Sequence, residues 1–426
     1  MTNQKTAIII GTGAGGAAAA RALNDRYKLT ILEAGGQFRP FNQSIPLFSK
    51  LRYSGLFLDE RMIRMFIRNM KVDQTEDMVL VSGIGLGGTT TLATGNAVRY
   101  DGPLKKIGID LDEQFDELYE ELPITTDHQK YWTNTTKQMY ALFEERGLDP
   151  VVTPKLLNAA GCIGCGHCAI GCPTDAKWDT RAWIQDAVRN GAELITGCRV
   201  TELSVSEGQV KEVHAVRGTK KVTFTADLII LAAGGLGTPV ILKNSGIPVK
   251  KSLFVDPVLC VAGRKEGIHQ EHQILMPFIS QQDGYIISPY MDYLSFFFNK
   301  NWKMPMTDIV SIMIKLADEE TGDVSSKKID KQMSLNDHRH MGKAVSQCSG
   351  IVEALGVPKD KQFLGTLNAG HPGGMLPLGK ETAETLHDPV LPANLYVADA
   401  TILPESMGNP PILTIMALSK KICSLL

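Results

Sequence analysis

The chain is poor in the features that mark whole classes of protein. It carries almost no net charge, 44 Lys and Arg against 46 Asp and Glu, which leaves no electrostatic footprint for nucleic acid. Its longest apolar run, Leu228 to Leu242, has 15 residues and is broken by Gly234, Gly235, Gly237 and Pro239. That is too short and too interrupted to span a bilayer. No targeting segment precedes the first apolar strand, so the cytoplasm is the expected compartment. Internal repeats and low-complexity tracts are also missing. What remains is an ordinary globular composition, 43% hydrophobic and 21% charged over 426 residues, long enough for two domains.

The N-terminal stretch is the most informative. Thr6 to Ile10 reads as a buried strand and runs straight into Gly11-Thr12-Gly13-Ala14-Gly15-Gly16, which fits G-x-G-x-x-G. A small-residue helix, Ala17 to Asn24, and a second strand, Lys28 to Leu32, follow, and the strand ends on Glu33. Gly11 permits the tight turn, Gly13 lets the backbone approach a pyrophosphate, and Gly16 lets helix and strand pack closely. The helix N-terminus offers free N–H groups to phosphate oxygens. Glu33 stands where a carboxylate reaches an adenosine ribose. With strand, helix, strand and acid all in place, this unit predicts a dinucleotide, NAD or FAD.

Further along, residues 61–71 form a basic amphipathic run, with Arg61, Arg64 and Arg68 among apolar residues. Either a packed helix with a solvated edge or contact with a membrane surface fits it. Gly83-Ile84-Gly85-Leu86-Gly87-Gly88 repeats the glycine pattern, but the Thr89-Thr90-Thr91 run after it is poor in helix formers and no acid-terminated strand follows. Its glycine density implies close backbone approach to something flat or charged. Residues 110–148 read as helical, and 193–225 as alternating strands. Ala226 to Gly235 reads as a buried strand ending in glycines, with a helix start near Thr238. Short β-like runs, 255–262, 284–289 and 308–317, predict an antiparallel sheet, followed by a helix over 335–355. A strand at 395–400 and an apolar helix over 411–425 close the chain.

Four of the eight cysteines crowd into one run, Cys162-x-x-Cys165-x-x-Cys168-x-x-x-Cys172-Pro173. This is a ferredoxin spacing, and it points to metal chemistry in a reducing compartment. Zinc competes, but structural zinc usually takes two separated pairs. An iron–sulfur cluster is favoured, [4Fe–4S] if all four cysteines bind and [3Fe–4S] if three do. Cys198 and Cys260 read as buried thiols or remote ligands. His338 and His340, and likewise His269 and His272, read as solvated.

Four separated segments resemble the glucose–methanol–choline (GMC) flavoprotein oxidoreductases. They are Leu32-Glu33-Ala34-Gly35-Gly36, then Gly85 to Thr90, then Leu231 to Pro239 closing with Ser245-Gly246-Ile247, and finally His371-Pro372-Gly373-Gly374 through Asn394 to Ala400 and on to Gly408-Asn409-Pro410. The C-terminal end is closest to the cholesterol-oxidase type, and the cysteine run resembles an insertion found in some dehydrogenase members. The resemblance implies an α/β fold, a Rossmann-like FAD-binding domain interleaved with a smaller α+β substrate domain on an antiparallel sheet. Its boundaries are expected at 1–110, 181–251 and 371–426 for the FAD part, 111–155 for a helical cap, 156–180 for the iron–sulfur segment and 252–370 for the substrate part. The implied FAD contacts are Gly11, Gly13, Ala14, Gly15, Gly16, Glu33, Ala34, Gly83, Gly87, Gly88, Thr89, Thr90, Val200, Ala233, Gly234, Asp399, Ala400, Asn409 and Pro410. His371 is the implied base and Asn409 the partner of the substrate oxygen, with Asn409-Pro410-Pro411 at a helix start whose N–H groups favour charge on reduced flavin.

Two departures stand out. Ala93 occupies a position where the family often has asparagine, with Thr94 or Asn96 as substitutes, and the chain is shorter than most members. The expected activity is oxidation of an alcohol, hydride passing to flavin N5 and electrons leaving through the cluster to an external one-electron acceptor. Two alternatives stay open: an oxygen-using oxidase with a structural metal centre, and a non-catalytic flavin electron-transfer subunit.

Overall fold

The computed structural model describes residues 4–40, 67 and 69–426. Most of the basic amphipathic run, 61–66 and 68, lies outside the described residues, and so do both readings of it, the packed helix and the membrane-surface contact.

Five parallel strands form the first sheet, in the order Leu395–Val397, Leu228–Leu231, Thr6–Ile10, Lys28–Glu33, Glu193–Thr196. Thr6–Ile10 is central, and its neighbours lie on opposite sides: the next strand in sequence on one, a strand more than 200 residues later on the other. The order therefore reverses at its carboxyl end, where a doubly wound sheet opens a crevice for a ligand. Helix Ala14–Leu23 starts three residues earlier than the expected Ala17, so Gly15 and Gly16 fall in its first turn. It packs against the C-terminal helix Ile412–Ser424, and Ser419 Oγ donates to the Gly15 carbonyl at 2.8 Å. An antiparallel three-strand meander, Cys198–Ser206, Gln209–Arg217 and Lys220–Phe224, leads back to Leu228–Leu231.

The second sheet has nine strands. The expected runs appear as Pro257–Arg264, Tyr285–Pro289 and Ile309–Leu316, paired antiparallel. Every residue of Ile309–Leu316 is buried, because both faces are covered. Val261, Ile312 and Ile314 pack under helix Leu335–Ala354, while Cys260, Ala262 and Met313 face a cluster of Phe296, Phe297 and Trp302. Side chains alternate along a strand, so a run apolar at every position belongs to a sheet covered on both faces. Hairpin Met70–Gln74/Val79–Gly83 also joins this sheet, through the parallel pair of Val79–Gly83 with Asn368–Ala369.

The two sheets meet where Asn368–Ala369 leads into His371-Pro372-Gly373. A Cβ on Gly235, at the start of helix Gly234–Asn244, would lie 1.8 Å from the Pro372 carbonyl oxygen. That helix begins four residues before the expected Thr238, directly at the strand's end. No helix among the described residues is long and apolar enough to cross a membrane.

Candidate active site

The first glycine loop is built by close contacts. Gly11 has φ +102°, and a Cβ there would sit 2.2 Å from the Ala232 carbonyl oxygen; at Gly16 it would meet the Gly11 carbonyl oxygen at 2.0 Å. Gly13 differs: nothing lies within 4 Å of the Cβ position, so its face of the loop is open. That is the room a pyrophosphate needs.

Thr12, unremarkable in the motif, is the knot of this region. Its hydroxyl donates to Glu33 Oε2 at 2.6 Å and accepts from the Gly87 N–H at 3.0 Å, while its carbonyl accepts from Thr180 Oγ1 at 2.9 Å. Leu86 N donates to the Gly36 carbonyl at 3.0 Å. The second glycine loop is thereby laid across the first, and a Cβ on Gly88 would lie 3.0 Å from Gly13 Cα. Thr89 accepts from Gly83 N, and Thr90 donates to the Gly87 carbonyl, closing the single turn of 3₁₀-helix Gly88–Thr91. Glu33 is buried, and burial raises its pKa against hydrogen bonds from Thr12 and Gly35 that lower it. Oε1 accepts only from Gly35 among these and keeps capacity for a ribose hydroxyl.

At the next strand end, Gly234 N and Thr238 Oγ1 both donate to Asp399 Oδ2, and Thr401 N donates to Oδ1. Asp399 therefore ties the exit of strand Leu228–Leu231 to the C-terminal segment, and Ala400 O accepts from Gly374 N. Ala34 and Ala233 are half-buried beside these turns, and Pro410 is buried at the approach to the last helix. Val200 is buried in the meander's first strand, within the core of the parallel sheet.

His371 and Asn409 meet around one buried carboxylate. Asp256 has φ +52° and lies immediately before strand Pro257–Arg264. Its Oδ2 is 2.7 Å from Lys315 Nζ and 3.6 Å from His371 Nδ1, and its Oδ1 accepts from Ser406 Oγ at 2.5 Å and Gly408 N at 3.2 Å. Lys315 Nζ also donates to the Asn409 carbonyl. Burial pushes the Asp256 carboxyl up, but Lys315 and His371 outweigh it and hold the pKa at about 2. Burial, then the Lys315 charge, lower the His371 pKa, with Asp256 opposing. The imidazole is therefore neutral at pH 7 and able to take a proton. The Asn409 side chain is buried, and its amide donates to Gln281 Oε1 at 3.0 Å. Gln281 is exposed.

The cysteine segment lies against the second glycine loop. Cys162, Cys165, Cys168 and Cys172 are half-buried and unpaired, on turns opened by Gly164, Gly166 and Gly171 at φ +64°, +72° and +101°. Backbone N–H groups point at the thiols: Gly164 at Cys162, His167 at Cys165, and Lys177 among others at Cys172. Lys177 is buried and donates to four carbonyls, Thr90 at 3.2 Å, Thr91 at 2.8 Å, Ala93 at 2.6 Å and Cys168 at 3.1 Å. One ammonium thus bolts the cysteine segment to the glycine loop. Lys155 plays a similar part, bonding Asn96 Oδ1 and the Leu275 carbonyl. Asn96 and Thr94 both turn their side chains to Met276 Sδ. Cys198 and Cys260 are buried in separate cores.

His338 is exposed and His340 half-buried on helix Leu335–Ala354, as expected of a solvated stretch. His269 and His272 are exposed too, but they converge on Glu271, which spacing alone did not indicate.

Thr12, Lys177, Thr180, Asp256 and Lys315 escape a motif reading. Thr12 fills a variable place in the glycine pattern, and Asp256 and Lys315 lie in a region with no motif. Only the pairing of Pro257–Arg264 with Ile309–Leu316 brings those two together.

The GMC oxidoreductase family profile matches residues 6–261. An uncharacterized protein, MJ1450, of Methanocaldococcus jannaschii is 27% identical over 417 residues, 97% of each chain. Long-chain-alcohol oxidase FAO1 of Arabidopsis thaliana is 24% identical over 64% of this chain, which spans 47% of that longer protein. The crystal structure of pyridoxine 4-oxidase from Mesorbium loti superposes with TM-score 0.72 at 15% identity, covering 99% of this chain and 98% of that one. The matched region contains both glycine loops, the cysteine segment and Asp256, and the shared fold runs through His371 and Asn409: the chain belongs to the GMC oxidoreductase family of flavoproteins.

Proposed function

We propose that this chain is an FAD-dependent alcohol dehydrogenase that passes its electrons to an external one-electron acceptor. The observation that carries the reading is the Asp256 hub, which holds both His371 and Asn409 from the seam between the two sheets. The open face at Gly13, the free capacity of Glu33 and the crossing of the two glycine loops fit FAD. Bound FAD supplies the hydride acceptor at this site. His371, neutral at pH 7, takes the hydroxyl proton. Asp256 faces the Nδ1 side, orients the ring and stabilises the imidazolium that forms. Asn409 exchanges its bond with Gln281 for one to the substrate oxygen and fixes the carbinol carbon.

The cysteine segment fits an iron–sulfur cluster: four unpaired thiols, glycines at the turns, and N–H groups aimed at sulfur. Cys162, Cys165, Cys168 and Cys172 would hold it, and a bound cluster supplies a one-electron outlet. Unpaired thiols of this kind persist in a reducing compartment such as the cytoplasm.

The test is anaerobic addition of primary and secondary alcohols to purified holoenzyme, followed by optical and EPR spectra. Flavin bleaching with a reduced-cluster signal is expected. A second reading, favoured by the oxidase names of two similar proteins, is an oxygen-using oxidase with a structural metal centre. Flavin bleaching without a cluster signal, together with rapid peroxide formation in air, would establish that reading instead.

A further inference from the structure

We infer that His269, Glu271 and His272 form a binding site for a divalent metal ion of the zinc class, separate from the cysteine segment. Their ligand atoms lie within 4.8 Å of one another. Glu271 Oε1 is 3.1 Å from His269 Nδ1 and 3.5 Å from His272 Nε2. Tetrahedral zinc with bonds of about 2.0–2.1 Å places neighbouring ligand atoms about 3.3–3.4 Å apart. The two observed edges bracket that value. Two imidazoles and one carboxylate are a common donor set for zinc, and three protein ligands leave a fourth position for water or another ligand.

The site is also built rather than incidental. Gln270, between the ligands, is buried, and its amide donates to the Ser311 carbonyl at 2.8 Å and accepts from Ser311 N at 2.7 Å. His269 N donates to the Thr307 carbonyl at 2.9 Å. The turn is thereby anchored to the nine-stranded sheet before any ion arrives, so little ordering opposes binding. Glu271 is buried, and its Oε2 has no hydrogen-bond partner. That is a costly state for a carboxylate oxygen unless a cation compensates it. The two imidazoles are more than half exposed, so an ion enters directly from solvent.

Its position is informative as well. A Cβ on Gly166 would lie 2.1 Å from the Glu271 carbonyl oxygen, so the turn forms one wall of the cysteine segment. An ion here fixes that wall without using a cysteine.

The test is calorimetric titration of chelator-treated holoenzyme with zinc chloride, with zinc and iron measured separately by plasma mass spectrometry. One zinc per chain is expected beyond the iron present. His269→Ala and His272→Ala should each weaken zinc binding at least 100-fold, and Glu271→Gln at least tenfold, with flavin and iron contents unchanged. Both histidines are exposed, so their removal leaves the core intact, and the flavin spectrum checks this. The inference is overturned if the wild type takes up no zinc saturably. It is equally overturned if the His269/His272 double variant keeps wild-type zinc affinity, which would place the ion at the cysteines.

Discussion

Asp256 Oδ2 lies 3.6 Å from His371 Nδ1, and the same carboxylate accepts from the backbone N–H of Gly408, next to Asn409. A fully buried carboxylate is stable only when paired and hydrogen-bonded. Here Lys315, Ser406 and Gly408 do this work, so the negative charge stays fixed beside the histidine.

Removing His371 tests the proton acceptor directly. His371→Ala should lower the rate of flavin reduction by alcohol about 10²–10⁴-fold, with FAD content unchanged, in anaerobic stopped-flow measurements. An unchanged rate would mean that a group other than His371 takes the hydroxyl proton. No flavin reduction by any alcohol in the wild type would leave the non-catalytic subunit as the better description.

Asp256 and Lys315 should move the pH profile in opposite directions. Asp256 opposes the depression of the His371 pKa, and Lys315 contributes to it. The acid limb of kcat/KM should shift to lower pH in Asp256→Asn and to higher pH in Lys315→Met. Each change leaves a buried partner uncompensated, so each should also cost about 3–5 kcal/mol of stability, read from denaturant unfolding. Parallel shifts in both variants would refute the arrangement.

The Lys177 bolt predicts joint damage to two regions. Lys177→Met strips four carbonyls of their donor and should destabilise the fold by about 3–5 kcal/mol. Loss of FAD and of iron should occur together, measured by absorbance and metal content. Loss of iron alone would mean that the glycine loop does not depend on this contact.

The glycines make a paired prediction. Gly15→Ala places a Cβ 1.5 Å from the Ala398 carbonyl oxygen, and the variant should fail to accumulate as folded protein. Gly13→Ala meets nothing within 4 Å and should fold normally. Its methyl group enters the space assigned to the pyrophosphate, so FAD affinity should fall at least tenfold by titration of the apoprotein.

Acid should unfold the helical segment near His128 early. This ring is buried, with Nε2 bonded to the Thr153 carbonyl at 2.8 Å and Nδ1 accepting from Trp132 Nε1 at 3.2 Å. Burial lowers its pKa from 6.5 to about 4. The folded state therefore binds fewer protons than the unfolded state between those values, and stability must fall as pH drops below 6.5. The loss is on the order of 2–3 kcal/mol by pH 4. His128→Gln should flatten that part of the stability curve.

His371 and Asn409 are named through the family resemblance, whereas local pattern alone determined the parallel-sheet unit, both glycine loops and the cysteine segment. Each is written in contiguous residues, where turn geometry dictates glycine and strand burial dictates an unbroken apolar run. Helix starts were legible only to within a few residues, because Gly15, Gly16 and Gly234 are poor helix formers that packing nonetheless draws into first turns. Tertiary structure alone decided which groups surround the histidine. Asp256 and Lys315 are 59 positions apart and His371 another 56, joined by strand pairing that no periodicity encodes. The same holds for Thr12, Thr180 and Lys177, whose hydrogen bonds hold the glycine loops and the cysteine segment together. Short-range sterics specify a turn locally, whereas a buried charge finds its partner only once the sheets close around it.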